Sequence, residues 1–301
     1  SWILLTRRHC KSNSFYRKSG VRDQCTDGKH ITESPLYDWQ DPWKNRDPRL
    51  DLFCVRDNSR TMGVEYSLDV TREKVHDYMA GTDIANSNVI GNKSEYGPNG
   101  TKGPGGYLWR KGYDNAFYGA ITGGSREQTK DAINNGVFRL SELYLIAAEA
   151  RIEAGVELDV AKEYIDRIRR RVNMPDVVAT DQAGLRSALR YERMVELCNE
   201  GFRWYDLRRW GIAEKAMNHE IMAPGQSSAK APRNFISNAK PSIDSDCIVS
   251  YSADTWDGKP SNLRKFSTYV FTAGKDEFWP IPKSELDSNE AMEPSDQNPG
   301  Y

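Results

Sequence analysis

Between Tyr191 and Trp210 the chain reads Tyr-Glu-Arg-Met-Val-Glu-Leu-Cys-Asn-Glu-Gly-Phe-Arg-Trp-Tyr-Asp-Leu-Arg-Arg-Trp, threading acidic and basic residues through large aromatic and aliphatic ones. On a helix, residues three and four apart share a face. Glu192 and Glu196 therefore stand together, and Arg203, Asp206 and Arg209 recur at threes beyond the break at Gly201. Met194, Val195, Leu197, Phe202, Trp204, Leu207 and Trp210 supply apolar cover. Opposite charges pair strongly only where water is excluded and every donor is matched. The pattern predicts two helices clasped through a buried ionic seam.

The helical reading extends on both sides, to a core of about residues 139–218. Leu140, Leu143, Tyr144, Ala147, Ala150 and Ala154 recur at three and four until Gly155, and their small Ala-rich face should let a second helix pack closely. That helix, about Leu158 to Val172, carries Ala161, Tyr164, Ile165, Ile168 and Val172 and stops at Met174-Pro175. A third, about 181–199, buries Leu185, Ala188, Leu189, Val195 and Cys198, with Asp181 or a near neighbour as its cap. A fourth, about 202–218, carries Trp204, Leu207, Trp210 and Ala213. The expected fold is mainly α, with tetratricopeptide-like antiparallel helical hairpins, long irregular loops and a few short strands. Two such hairpins are fewer than the three or so units that stand alone, so one side of the helical layer should expose apolar surface.

Outside this core the signals are turns. Asp27-Gly28, Ser34-Pro35, Asp41-Pro42 and Asp47-Pro48 punctuate residues 24–50, a loop system that also holds Trp39 and Trp43. In Asn45-Arg-Asp-Pro-Arg-Leu, proline holds Asp47 extended, so Arg46 and Arg49 are expected to reach carboxylates elsewhere as a structural bracket. Short strands are expected at Leu50–Val55, Met62–Val70, Tyr107–Lys111, Cys247–Tyr251 and Thr268–Thr272, with a long loop over residues 81–106 and loops through most of 221–275. Phe278-Trp-Pro-Ile-Pro cannot join a sheet interior and should lie along the helices as a strap, with Trp279 on it and the end pinned by burial of the Tyr301 ring and by its carboxylate.

Composition excludes several functions. With 42 Lys and Arg against 43 Asp and Glu, the net charge of −1 provides no field to hold nucleic acid or an anionic membrane. No run approaches the roughly 18 apolar residues of a membrane span. Five cysteines and four histidines show no metal-ligand spacing, so neither a metal nor a cofactor is expected, and Cys198 reads as a small buried hydrophobe. Gly103-Pro-Gly-Gly lacks the Lys-Ser/Thr pair of a phosphate loop. Glu142, Glu149, Glu192, Glu196 and Glu200 stand beside arginines that would hold them ionised, which is the opposite of what a proton donor needs. An enzyme is therefore not expected. The 8 Trp and 15 Tyr suit sugar faces, whose CH groups stack on rings and whose hydroxyls seek polar edges.

Four blocks, Asn45-Arg-Asp-Pro-Arg-Leu, Phe138-Arg-Leu-Ser-Glu-Leu-Tyr-Leu-Ile-Ala-Ala-Glu-Ala, Tyr191–Trp210 and Phe278–Asp287 with the terminal Gln297-Asn-Pro-Gly-Tyr, follow one another in an order that resembles the SusD/RagB family. These are surface nutrient-binding lipoproteins of Bacteroidetes. The resemblance covers residues 24–301; residues 1–23, with six Lys or Arg, match nothing in it and are expected to come from a shifted reading frame or an artificial junction. It implies an export signal, a lipid anchor and a long helical N-terminal half, none of which is read in this chain, so the expectation is the C-terminal part of a longer protein. It also implies non-catalytic capture of an oligosaccharide at the external face of the outer membrane for polysaccharide utilisation, and delivery to a SusC-like TonB-dependent transporter. The rival reading is a tetratricopeptide-type scaffold for a protein partner.

No motif assigns ligand residues by position. The expected stacking rings are Tyr66, Tyr78, Tyr113, Tyr118 and Trp256, with Asp114, Asn115 and Asp257 as polar neighbours. Trp256, between Asp254-Thr255 and Asp257-Gly258, is expected to expose its ring at a turn tip.

Overall fold

The computed structural model describes residues 24–55, 58–61, 63–67, 72–78, 80–86, 108–111, 136–224 and 236–301. Tyr113, Asp114, Asn115 and Tyr118, together with residues 1–23, lie outside the described residues. The architecture is mainly α. Its centre is a set of three helices: α2 (Leu140–Ala154), α3 (Leu158–Arg171) and α4 (Gln182–Glu196). A short α1 (Arg49–Phe53) precedes them, while α5 (Phe202–Arg209), α6 (Ala213–Met217) and α7 (Lys283–Ser288) follow.

Leu145, Ala148 and Ile152 of α2 meet Ala161, Ile165 and Ile168 of α3 and Leu185 and Leu189 of α4 in one core. The face of α2 is thus turned from the expected one. Leu140 and Leu143 are exposed, as are Ala150 and Ala154. The helix has apolar residues at helical spacing on two sides, and periodicity alone does not choose between them. The outward side, Leu140, Leu143 and Ile146 with Val137 and Phe138 ahead of it, forms the exposed apolar surface anticipated for this layer.

Helix ends follow local chemistry. Gly155 closes α2 with φ 69°, its N–H and that of Val156 returning to the carbonyls of Ile152 and Arg151. Asp181 caps α4 by accepting from Gly184 N–H. The expected single helix over 202–218 is two, because Gly211 takes φ 68° and Ile212 N–H folds back to Leu207 O at 3.0 Å. The third helix ends at Glu196, earlier than expected, with Asn199 at φ 62° in the turn before Gly201.

Strands are short and antiparallel. β2 (Ser59–Thr61), β3 (Val64–Tyr66), β4 (Lys74–Asp77) and β5 (Thr82–Ala85) make a four-stranded sheet. β1 (Cys54–Val55) pairs with β6 (Leu108–Trp109), so the first half of the expected Leu50–Val55 strand is instead the helical turn α1. β7 (His219–Pro224) pairs with β10 (Leu263–Tyr269), and β8 (Ala239–Ile243) with β9 (Val249–Thr255). The strands expected at 247–251 and 268–272 are displaced. Cys247 takes φ 60° in the turn before β9, and Val270 falls just after β10.

The Phe278–Pro282 strap meets the helices through Trp279, whose ring lies 6.4 Å from that of Trp204. The chain's own tail holds it by hydrogen bonds. Gln297 brackets Ile281, accepting from its N–H at 2.8 Å and donating to its carbonyl at 3.0 Å, and Asn298 Nδ2 donates to Trp279 O at 2.6 Å. Tyr301 is pinned differently than expected: its ring is 48 % exposed, with Lys275 Nζ 4.5 Å from its centroid and its hydroxyl donating to Phe278 O.

Candidate functional site

The ionic seam is built from two clusters. In the first, Pro48 caps α1 and delivers Arg49, 1 % exposed, onto α4. Arg49 Nε and Nη2 grip both oxygens of Asp47 at 3.0 and 2.7 Å, while Nη1 bonds Glu192 and, at 3.1 Å, Glu196. Glu192 also accepts from Arg169 at 3.3 Å, and Glu196 from Arg139 and Arg171 at 2.6 Å each. Burial alone would push the Glu196 carboxyl up, but Arg139, Arg49 and Arg171 together hold it down at about 2. The same opposition, burial against Glu192 and Asp47, holds the Arg49 guanidinium well above its ordinary value.

The bracket engages only one of the two expected arginines with acids. Arg46 donates to backbone instead, Nη1 to Pro42 O at 2.8 Å, and its guanidinium lies 5.4 Å from the Tyr37 ring centroid.

In the second cluster α5 is tied to α4 and α2. Arg193 reaches Asp206 through two parallel bonds of 3.0 and 2.9 Å, and Arg209 bridges Asp206 and Glu149. Trp210 Nε1 donates to Glu149 at 2.6 Å. Burial opposes ionisation of Glu149, yet Arg209 and the indole keep its carboxyl below the ordinary range. Arg203, expected to share in this clasp, has no hydrogen-bonded acid among the described residues; it lies 6.0 Å from the Trp210 ring centroid. Carboxylates held ionised in this way cannot lend a proton near neutral pH, and their work here is to lock helices.

Of the residues expected to meet a ligand, those described lie in or just after strands outside the helical core. Trp256 follows β9 and packs at 5.2 Å against Tyr37, with Lys240 Nζ also 5.2 Å from its ring centroid. It is half-buried, so the ring is backed rather than projecting freely as expected. Its N–H bonds Asn238 O at 2.8 Å. Asp257 accepts from Asn238 Nδ2 at 3.0 Å and from Lys259 N–H at 3.2 Å, and Asn238 and Asn262 exchange side-chain-to-backbone bonds of 3.2 and 2.9 Å. Burial works against ionisation of Asp257, but the Asn238 amide keeps its carboxyl below the ordinary range. Together these residues form a rigid aromatic ledge of Tyr37 and Trp256. Tyr37 was missed by the sequence reading, although its place in the same turn-rich segment as Trp39 and Trp43 was the available signal.

Tyr66 does not fit its expected role. It is 3 % exposed at the end of β3 and presents no face to a sugar. Tyr78 is 44 % exposed after β4, but Arg60 lies 5.1 Å from its centroid and His76 meets it edge-on at 4.7 Å. Among the described residues no group of His, Cys, Asp and Glu could hold a metal ion, and no helix is long and apolar enough to cross a membrane. Cys25, Cys54, Cys198 and Cys247 are buried.

Known proteins share the fold. A SusD-like carbohydrate-binding protein of Bacteroides fragilis superposes over 89 % of this chain with a TM-score of 0.60 at 23 % identity. A second SusD-like protein of the same organism covers 94 % with a TM-score of 0.59 at 20 % identity. This chain spans 46 % of the length of each. SusD-like protein P25 of Formosa agariphila is 41 % identical over 83 residues, 26 % of this chain and 16 % of that protein. The family model for the SusD family matches residues 12–301, starting ahead of the Gln24 at which the motifs begin and so taking in part of the segment expected not to match. Sequence match and helical frame agree over nearly the whole chain, which belongs to the SusD family.

Proposed function

We propose that the protein captures an oligosaccharide non-covalently at the external face of the outer membrane, where the whole protein is held by a lipid anchor, and passes it to a SusC-like TonB-dependent transporter. Membership of the SusD family supports this reading, as does the solved relative described as carbohydrate-binding. The observation that carries it within this chain is the ledge: Tyr37 and Trp256 stand beside each other, backed by cations and a network of asparagines. A sugar ring can lay its CH face on such rings while Asn, Lys and Asp edges meet its hydroxyls. Tyr78, and beyond the described residues Tyr113, Asp114, Asn115 and Tyr118, would extend the surface. The seam carboxylates are committed to arginines and Asp257 to the amides of Asn238 and Lys259, so the proposed action is binding without turnover.

Intrinsic tryptophan fluorescence titrated with a panel of oligosaccharides tests the reading. A saturable response that Trp256→Ala and Tyr37→Ala each weaken, with no product released, supports it. Unchanged affinity in both variants removes the ledge. The outward face of α2, with Leu140, Leu143 and Ile146, favours a second reading as a protein-binding scaffold. A stable complex with a soluble protein and no sugar response would favour it. Co-purification from outer membranes with a TonB-dependent transporter tests the delivery step.

A further inference from the structure

Among the described residues around Trp210, one positive charge, Arg203, has no bonded acid. Arg190 is bound to Asp246, Arg193 to Asp206, Arg209 to Glu149 and Asp206, and Lys215 to Asp244 and Asp246. Those four cations meet four acids. Arg203 is the fifth cation and forms no hydrogen bond or ion pair with the described residues, although its Nη1 is buried. Two neighbours on α4 share the deficit, since Arg190 Nε and Arg193 Nη1 are also buried donors without an acceptor. Arg190 and Arg203 both lie over the Trp210 indole, their Cζ atoms 5.0 and 6.0 Å from its centroid. The groups facing Arg203 are Asp206, which is already taken by Arg193 and Arg209, the Cys247 thiol, and Arg190, which repels it. Burial without a bonded acid lowers the Arg203 guanidinium to about 10.

A guanidinium in this condition lacks an acceptor of matching shape. Its parallel N–H groups fit the two oxygens of a carboxylate far better than a spherical ion, and the neighbouring donors favour negative charge. We propose that Arg203, flanked by Arg190 and set over Trp210, is a binding position for a small carboxylate. This assignment is independent of the sugar ledge. The bound anion would neutralise the surplus charge and stiffen the junction of α4, α5 and the turn at Cys247.

The full chain labelled with ¹⁵N-arginine, titrated with sodium acetate against sodium chloride at constant ionic strength, tests this. The expected result is a saturable shift of the Arg203 Nε–Hε resonance in acetate alone, with no shift at Arg208. A matching rise in Tm in acetate should disappear in Arg203→Gln and shrink in Arg203→Lys, which keeps the charge but loses the fork. Equal, unsaturated shifts in both salts would overturn the proposal. So would an acetate-dependent rise in Tm that is the same in wild type and Arg203→Lys, a comparison that holds even if Arg203→Gln does not fold.

Discussion

Arg49 and Lys240 are both cations placed among bulky neighbours, yet they belong to regions that use charge in opposite ways. Arg49 is sealed beneath α1 and α4, and each of its bonds ends on a carboxylate. Lys240 is itself half-buried and sets its ammonium 5.2 Å from the ring centroid of Trp256, which packs against Tyr37. In the seam the absence of water makes every charge depend on its partner, and deleting one leaves another stranded. At the ledge water replaces whatever is lost, so side chains there can serve a ligand without holding the fold. On the proposed reading, stability and recognition fall to different residues.

The sharpest way to break this comparison is Glu192→Ala, which takes from buried Arg49 one of its three carboxylates and from Arg169 its bonded carboxylate. A loss of about 3–5 kcal/mol is expected in urea unfolding; a loss below about 1 kcal/mol would mean that the seam is no more demanding than a surface pair. Acid provides a second test. The folded pKa of Glu196 is depressed from 4.5 to about 2, so its stabilisation is fully present above the unfolded value and drains away as pH falls from about 4.5 toward 2. On the order of 3 kcal/mol is at stake, and Glu149 shifts in the same direction. A urea midpoint that stays level between pH 5 and pH 2.5, on the order of the window the two pKa values set, would contradict it. Trp210→Phe keeps an aromatic ring but removes the five-membered half of the indole with its donor to Glu149, for which about 1.5–3 kcal/mol is expected. Trp256→Ala should cost only about 1 kcal/mol by the same unfolding measurement while weakening the sugar response. A larger stability loss would show that the ledge is part of the core. Smallest of all, Arg186→Ala on the exposed pair with Glu153 should change stability by about 0.5 kcal/mol or less.

The seam was legible because charge interleaved with aromatics at helical spacing has few stable resolutions. Glu192, Glu196, Asp206 and Arg209 came out as bonded members, and Asp47 with Arg49 as the bracket that reaches them. Arg46 and Arg203 carried the same local signal but were placed without acid partners, since only the three-dimensional distribution of acceptors decides which arginine is served. The working face of α2 was misread because the helix is apolar on two sides. Tyr66 was taken for a surface ring because it stands in a strand too short to show which side is buried. Tyr37 and Trp256, 219 positions apart in the chain, became neighbours through packing that no local pattern encodes.

From residue order alone came the three central helices, the stop at Gly155, the demand for a buried ionic clasp and the family. These depend on short-range geometry and on the cost of leaving charge unpaired away from water, both of which are written in spacing and residue type. The tertiary structure decided which face of α2 meets the core, which arginines find carboxylates, and which aromatic rings stand together at the surface. Those outcomes depend on how distant segments divide a limited supply of apolar cover and acceptors, and such competition is settled only when all of them are in place.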